Sequence, residues 1–230
     1  MPGFSKPVSA SGSLRVLAAL LSYPDAGMRG YLPDMREILH GECVLTAARQ
    51  AELDALIDSL VGAEPLDTEA DYVQLFDRSR NTSLHLFEHV HGDSPERGPA
   101  MIDLAQTYEK AGLYLAPGEL PDYLPAVLEF VSTQPPREAR AFLGEIARIL
   151  NALFNALHER KSPYASVLSA LLELAGEQAQ AVKPVAEPLL DESWAEPPVF
   201  DGCSSQGQAR PGQPQPIHLV RKNAKTGAVA

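Results

Sequence analysis

Residues 142–157, FLGEIARILNALFNAL, decide the fold class of this chain. Their apolar side chains recur with the 3.6-residue period of an α-helix, at Phe142, Leu143, Ile146, Ile149, Leu150, Leu153, Phe154 and Leu157. This is the longest apolar stripe in the sequence. It predicts a long amphipathic helix whose apolar face is buried in a core.

Shorter stripes with the same period predict helices along most of the remaining sequence. They are Leu14–Leu21 before Pro24, Leu53–Leu60 between Thr46 and Gly62, Tyr72–Phe76, Met101–Tyr108 before Gly112, and Val167–Leu174. Thr46 is a candidate N-cap, and the glycines are typical of helix ends. No segment alternates apolar and polar residues as a half-buried strand does. The sequence therefore predicts an all-α protein.

The composition divides the chain into three parts. Residues 1–12 are small and polar and predict a flexible N-terminus, and residues 13–180 carry the helical patterns. Residues 181–230 hold seven prolines and four glycines, with five basic and five acidic side chains. This composition is typical of a disordered or loosely docked tail. We expect one compact helical domain followed by a Pro/Gly-rich tail.

The charge and the cysteines restrict the possible partners and the compartment. The formal net charge is −11, from 30 acidic and 19 basic residues. An acidic surface disfavours nucleic acid and anionic lipid and favours basic partners. The two cysteines form no CxxC pair, which fits a reducing compartment. The longest apolar run, residues 16–21, is far too short to span a membrane. We expect a cytoplasmic protein.

The segment His85-Leu86-Phe87-Glu88-His89 matches the HxxEH pattern of some zinc hydrolases. Two histidines four residues apart on one helix share a face and can hold Zn²⁺, with the glutamate as general base. Such a site needs a third ligand, and no other residue is a convincing candidate. A buried hydrogen-bonded pair of Glu88 and a histidine explains the pattern more simply. We assign no metal ligand and keep the hydrolase as an alternative.

Residues 91–98, HGDSPERG, continue this segment and predict a corner between two helices. Gly92 permits a left-handed helix end, Asp93 or Ser94 can cap the next helix, and Pro95 suits its first position. The density of charged side chains exceeds what a corner needs. The residues Glu88, His89, His91, Asp93 and Arg97 are therefore candidates for binding a partner as well as for holding the corner in shape.

Residues 119–125, ELPDYLP, form a second polar segment. Its two prolines favour an extended or one-turn lead-in to the helix that carries Val127, Leu128 and Val131. One interpretation is simple helix initiation. The other is that Glu119 and Asp122 are exposed at a helix entrance and face a cationic partner. No GxSxG motif, phosphate-binding glycine loop or dinucleotide fingerprint occurs, so nothing else in the sequence indicates an enzyme or a bound cofactor.

The blocks SLHLFEHVHGDSPERGPAMIDL (83–104) and ELPDYLPAVLEF (119–130) resemble the NarJ-type nitrate reductase assembly chaperones. These belong to the wider TorD/DmsD group of redox-enzyme maturation proteins. The resemblance runs from about residue 14 to 176 and extends loosely to Trp194 and Gly202-Cys203. It implies a TorD-like helical bundle. His85 lies inside the first block but is not one of the residues that carry the resemblance, so we expect its role to be incidental.

The resemblance implies a cytoplasmic chaperone that is not an enzyme and not part of the final complex. Its client would be the catalytic (alpha) subunit of a respiratory nitrate reductase, bound by its N-terminal segment until the molybdenum cofactor is inserted and the complex docks on its membrane subunit. Transient contact with cofactor-delivery proteins would follow, without nucleic acid binding or membrane insertion. A helical scaffold or regulatory interaction protein remains an alternative.

Two signatures of the group can be placed by position. The aromatic-x-x-Leu-Phe motif corresponds to Tyr72, Leu75 and Phe76, and the Glu-x-Pro-Asp-His motif corresponds to Glu119, Pro121, Asp122 and Tyr123. Tyrosine replaces the final histidine of the second motif, so a titrating imidazole is absent at that position. We expect Leu75 and Phe76 to line a client groove, and Glu119 and Asp122 to meet basic residues of the client.

Overall fold

The computed structural model describes residues 9–92 and 94–180 and has ten α-helices in that part of the chain. They are α1 (Ser11–Leu20), α2 (Ala26–Gly30), α3 (Leu32–Glu42), α4 (Ala47–Gly62), α5 (Pro65–Tyr72), α6 (Leu86–Val90), α7 (Arg97–Lys110), α8 (Leu124–Thr133), α9 (Pro136–Glu159) and α10 (Ala165–Ala175). A π-helical turn, Val73–Asp77, continues α5, and a 3₁₀ turn covers Arg80–Thr82. No β-strand occurs among the described residues, so the all-α prediction is confirmed.

The core is built around α10, which is buried on almost every side. Its residues Val167, Leu168 and Leu171 are fully buried. Helix α9 packs along it as a helical hairpin, and α4 and α1 cover the other sides. Helix α1 also packs against α8 and α3. The apolar stripe of residues 142–157 faces this core through Leu143, Leu150, Leu153 and Leu157, as its period predicts.

The first described helix begins at Ser11, within the N-terminal segment predicted over residues 1–12. The carboxylate of Glu42 accepts the backbone N–H groups of Gly12 at 2.8 Å and Ser13 at 2.7 Å. N–H groups in the first turn of a helix have no partner within the helix. A carboxylate at this end also interacts favourably with the positive end of the helix dipole. Glu42, at the end of α3, therefore fixes where α1 begins.

The helix ends follow the local sequence signals. Gly112 and Gly176 take positive φ angles of 79° and 87° just after α7 and α10, a conformation that side chains disfavour. Helix α4 starts after Thr46 and ends at Gly62. Thr46 does not cap the helix through its own side chain, because its N–H and hydroxyl both bind the Glu173 carboxylate on α10.

Three parts of the prediction lie outside the described residues: residues 1–8 of the N-terminal segment, Asp93, and the Pro/Gly-rich tail over 181–230. Within residues 9–92 and 94–180, no helix combines the length and the apolar character that a bilayer crossing requires.

Candidate functional site

The HxxEH segment does not lie on one helix. Helix α6 begins at Leu86, and His85 precedes it with extended backbone angles, φ −87° and ψ 107°. His85 instead pairs with Tyr123 in an isolated antiparallel bridge. Leu86 N donates to Asp122 O at 2.9 Å, and Leu124 N donates to Leu84 O at 2.8 Å. The shared helix face that the zinc hydrolase needs is therefore missing.

The side chains of this segment are engaged with other groups. His89 Nε2 lies 2.8 Å from the carbonyl oxygen of Ser83, to which it donates. His85 Nδ1 lies 3.2 Å from the carboxylate of Asp122. Among residues 9–92 and 94–180, no group of three His, Cys, Asp or Glu side chains is placed to hold a metal ion.

Asp122 is fully buried, so the expectation that it is exposed to a cationic partner is wrong. Its Oδ2 accepts the N–H of Phe87 at 3.2 Å, its Oδ1 meets His85, and Arg97 Nη2 lies 3.6 Å from Oδ2. A buried carboxylate is tolerated when hydrogen bonds and opposite charges surround it in this way. Asp122 thus fixes α6, the start of α7 and the lead-in to α8 against one another.

His85 is a member of this network, so its predicted incidental role is wrong. The hydrogen bond to Asp122 raises the pKa of His85 above its ordinary value, although partial burial opposes the shift. The imidazole also packs against the Tyr123 ring, with 5.4 Å between ring centroids. The role of His85 could not be predicted from the sequence, because its partner Asp122 lies 37 residues further along the chain.

The remaining residues of the 91–98 corner mainly shape the chain. His91 follows α6 and packs edge-on against Phe87, and Gly92 takes a φ of 53° as predicted. Arg97 joins Glu88, with 3.6 Å between Nη2 and Oε1. Helix α7 begins at Arg97 rather than at Pro95, because residues 95 and 96 are still in a turn.

Tyr72 and Phe76 lie in the core rather than in a groove, each only 4% exposed. The phenol of Tyr72 donates to Leu21 O at 2.7 Å, and its oxygen lies 3.2 Å from the Tyr123 hydroxyl. Burial raises the pKa of both phenols, so both keep their protons for these bonds. The prediction that Phe76 lines a groove is wrong, while Leu75, in the same π-helical turn, is only partly buried.

Glu119 and Tyr123 line a groove of about 440 Å³ between α1, α8 and the loop that precedes α8. We call it the Tyr123 groove. Its apolar lining includes Leu113, Leu115, Tyr108, Pro125 and Phe130, and its charged lining consists of Glu119, Glu129 and Arg15. Tyr108 also holds the backbone of the loop that precedes α8, because its hydroxyl donates to Pro121 O at 2.8 Å.

The predicted site residues therefore divide among separate places. Leu75 lines a different groove of about 520 Å³, with Leu60 and Tyr164. His85, Glu88 and Arg97 line a polar cleft of about 430 Å³. Asp122 and Pro121 are buried behind the Tyr123 groove. The structure joins Tyr72, Tyr123, Asp122, His85, Arg97 and Glu88 through hydrogen bonds, ion pairs and ring contact, but it does not gather the predicted residues around one cavity.

Sequence reasoning missed several groove residues, among them Glu129, although a signal for it exists. Pro125, Glu129 and Thr133 are spaced by four residues on α8 and share one helix face, and all three line the groove. The loop residues Leu113, Tyr114 and Leu115 carry no such period, so the sequence could not place them there.

Comparisons with known proteins identify the family of this chain. The chain matches the nitrate reductase delta subunit family over residues 44–170. It is 42% identical over 185 residues to the nitrate reductase molybdenum cofactor assembly chaperone NarJ of Escherichia coli K12, covering 80% of this chain and 78% of NarJ. NarW of the same strain, named for the same role, is 40% identical over 163 residues, which is 71% of this chain and 68% of NarW.

Among solved structures, a protein from Archaeoglobus fulgidus assigned to redox enzyme maturation shares the fold. It aligns with a TM-score of 0.56 and 19% identity over 77% of this chain and 100% of its own. The chain therefore shares its helical fold with that protein.

By its sequence, the chain belongs to the nitrate reductase delta subunit family. The predicted likeness to NarJ-type chaperones is confirmed, and the protein is a chaperone rather than an enzyme.

Proposed function

We propose that this chain is a cytoplasmic chaperone of a respiratory nitrate reductase that binds the N-terminal segment of the catalytic subunit in the Tyr123 groove. It keeps the apo-subunit competent for molybdenum cofactor insertion and membrane docking, meets cofactor-delivery proteins transiently, and leaves before the enzyme is complete. The names of NarJ and NarW support the choice of nitrate reductase as client.

The observation that carries the proposal is the lining of the Tyr123 groove. Leu113, Leu115, Pro125 and Phe130 offer an apolar floor, and Glu119 and Glu129 are exposed at its edge. An amphipathic helix binds such a groove by its apolar face, while basic residues beside that face meet the carboxylates. The net charge of −11 speeds the encounter with a basic segment.

The same geometry suits release of the client. Glu119 and Glu129 are in contact with solvent, and an exposed ion pair is worth at most about 1 kcal/mol. The carboxylates therefore orient the segment without making its binding permanent.

The buried members of the site act as supports for the groove. Asp122 with His85 and Arg97 holds the backbone on both sides of Tyr123, and Tyr72 holds its hydroxyl. In this proposal Pro121, Asp122, Tyr72 and Phe76 position the groove without touching the client.

The test is calorimetric titration of the full chain with a synthetic peptide of the first residues of the catalytic subunit encoded in the same genome. The double variant Glu119→Gln/Glu129→Gln should bind about tenfold more weakly at low salt, from two exposed ion pairs. High salt should reduce this difference, because it screens exposed charges.

The matched control is Glu37→Gln/Glu145→Gln, which removes two exposed glutamates that do not line the groove. It makes the net charge less negative by the same amount and should bind like the unmodified protein. An equal loss of affinity in both double variants would mean that the net charge, and not the position of the glutamates in the groove, causes the effect. Absence of binding by the unmodified chain would refute the proposed client segment.

A further inference from the structure

The loop between α7 and α8 carries an exposed aromatic side chain at the Tyr123 groove. Helix α7 ends where Leu113 N donates to Tyr108 O at 3.0 Å, with Gly112 in a left-handed conformation. A second turn forms at Gly118, where φ is 92° and Glu119 N donates to Ala116 O at 3.0 Å. Between these turns, residues 113–115 run along the edge of the groove.

The side chains of these three residues alternate in burial. Leu113 and Leu115 are half-buried and pack against the core. Tyr114 lies between them, lines the groove, and is 80% exposed. Among the described residues, no hydrogen bond or ring contact holds its phenol. The two leucines fasten the loop and leave the Tyr114 ring free to turn over the groove.

Other tyrosines of the site are fixed in place. Tyr72 and Tyr108 are 4% and 2% exposed, and their hydroxyls donate to backbone carbonyl groups. Tyr31 is also exposed, at 63%, but it does not line the Tyr123 groove. Tyr114 thus differs from the buried tyrosines by its exposure and from Tyr31 by its position.

An exposed tyrosine beside an apolar groove has the properties of a binding anchor. A buried aromatic ring covers about 150–250 Å² of surface, and tyrosine is enriched among the few residues that carry most of the affinity of an interface. With only two side-chain torsions, it loses little conformational entropy when it is fixed.

We infer that Tyr114 is an affinity-determining anchor that closes over the apolar face of the client segment bound in the Tyr123 groove. This inference rests on the proposed function and adds to it the residue that selects for an apolar face. Glu119 and Glu129 then select for basic residues at the edges of that face, and Tyr114 selects for aliphatic or aromatic side chains along its centre.

The test is titration of the same client peptide into Tyr114→Ala, Tyr114→Phe and Tyr31→Ala. Tyr114→Ala should weaken binding about 10- to 30-fold, the range of a strong interface residue. Tyr114→Phe should stay within about threefold of the unmodified protein, because the ring rather than the hydroxyl makes the contact. Tyr31→Ala should bind normally, and all three should melt at the unmodified temperature, since both positions are exposed.

A second measurement reports the position of the residue directly. Tyr114→Trp should shift its fluorescence to shorter wavelength when the peptide is added, after subtraction of the Trp194 signal measured in the unmodified protein. Normal affinity of Tyr114→Ala, or an unchanged emission of Tyr114→Trp, would overturn the inference while leaving the proposed function intact. If the unmodified chain does not bind the peptide, the proposed function fails and the inference fails with it.

Discussion

Replacement of Asp122 by asparagine tests the buried network behind the Tyr123 groove. The substitution keeps the shape of the side chain but removes the charge that meets His85 and Arg97. Removing one partner of a fully buried pair costs about 3–5 kcal/mol. His85 and Arg97 are 32% and 28% exposed and can regain water, and Asn keeps an acceptor for Phe87 N. We therefore expect a smaller loss, of about 2–3 kcal/mol.

The loss is measured by urea and thermal unfolding followed by circular dichroism. For a chain of this size it corresponds to a melting temperature lower by roughly 5–10 °C. The matched control is Asp103→Asn, an exposed aspartate on α7, which should change the free energy of unfolding by less than about 0.5 kcal/mol. Equal stability of the two variants would refute the assignment of Asp122 as a structural support.

The pH dependence of the same difference gives an independent check. Because the folded protein raises the pKa of His85, stability from its charged form is fully present below the unfolded value of 6.5 and is lost as pH rises through the folded value. The Asp122→Asn variant should therefore differ more from the unmodified protein near pH 6 than near pH 9. A difference that grows with pH would contradict the pairing of His85 with Asp122.

Two further substitutions test the core and the start of α1. Phe76→Ala should lower the free energy of unfolding, measured in urea, by about 3–5 kcal/mol. The reason is that the buried ring packs against Tyr72 and Tyr164, with 4.8 Å and 5.2 Å between ring centroids. A loss below about 1 kcal/mol would contradict its place in the core. Glu42→Ala should cost about 1–2 kcal/mol by leaving two N–H groups of α1 without an acceptor. The control is Glu37→Ala, which also lies on α3. An equal loss of stability in the two variants would contradict the role of Glu42 in capping α1.

The helices could be predicted because the information for them is local. The stripe over residues 142–157 requires only the residues within it, and Gly112 and Gly176 mark helix ends by their own backbone preference. The corner at Gly92 was predictable for the same reason. Segments of this kind keep their conformation wherever the fold places them.

The site could be predicted only in part because its decisive contacts join distant segments. The burial of Asp122 depends on Arg97 and His85, and its sequence context alone indicates an exposed helix entrance. Leu75 and Phe76 are consecutive in the π-helical turn, and only Phe76 is buried, which the motif alone does not indicate. The exposure of Glu119 agrees with the sequence-based expectation, while the burial of Asp122 and Phe76 does not.

The bridge between His85 and Tyr123 has a consequence for how the domain opens. It closes a loop that contains α6 and α7, and it does so without a covalent bond, through two backbone hydrogen bonds and the Asp122 carboxylate. When this bridge opens, both ends of the segment are released together, so we expect the segment to behave as a cooperative unit of partial unfolding. The amide hydrogens of Leu86 and Leu124, which lie on the two sides of the bridge, then exchange with solvent in the same event.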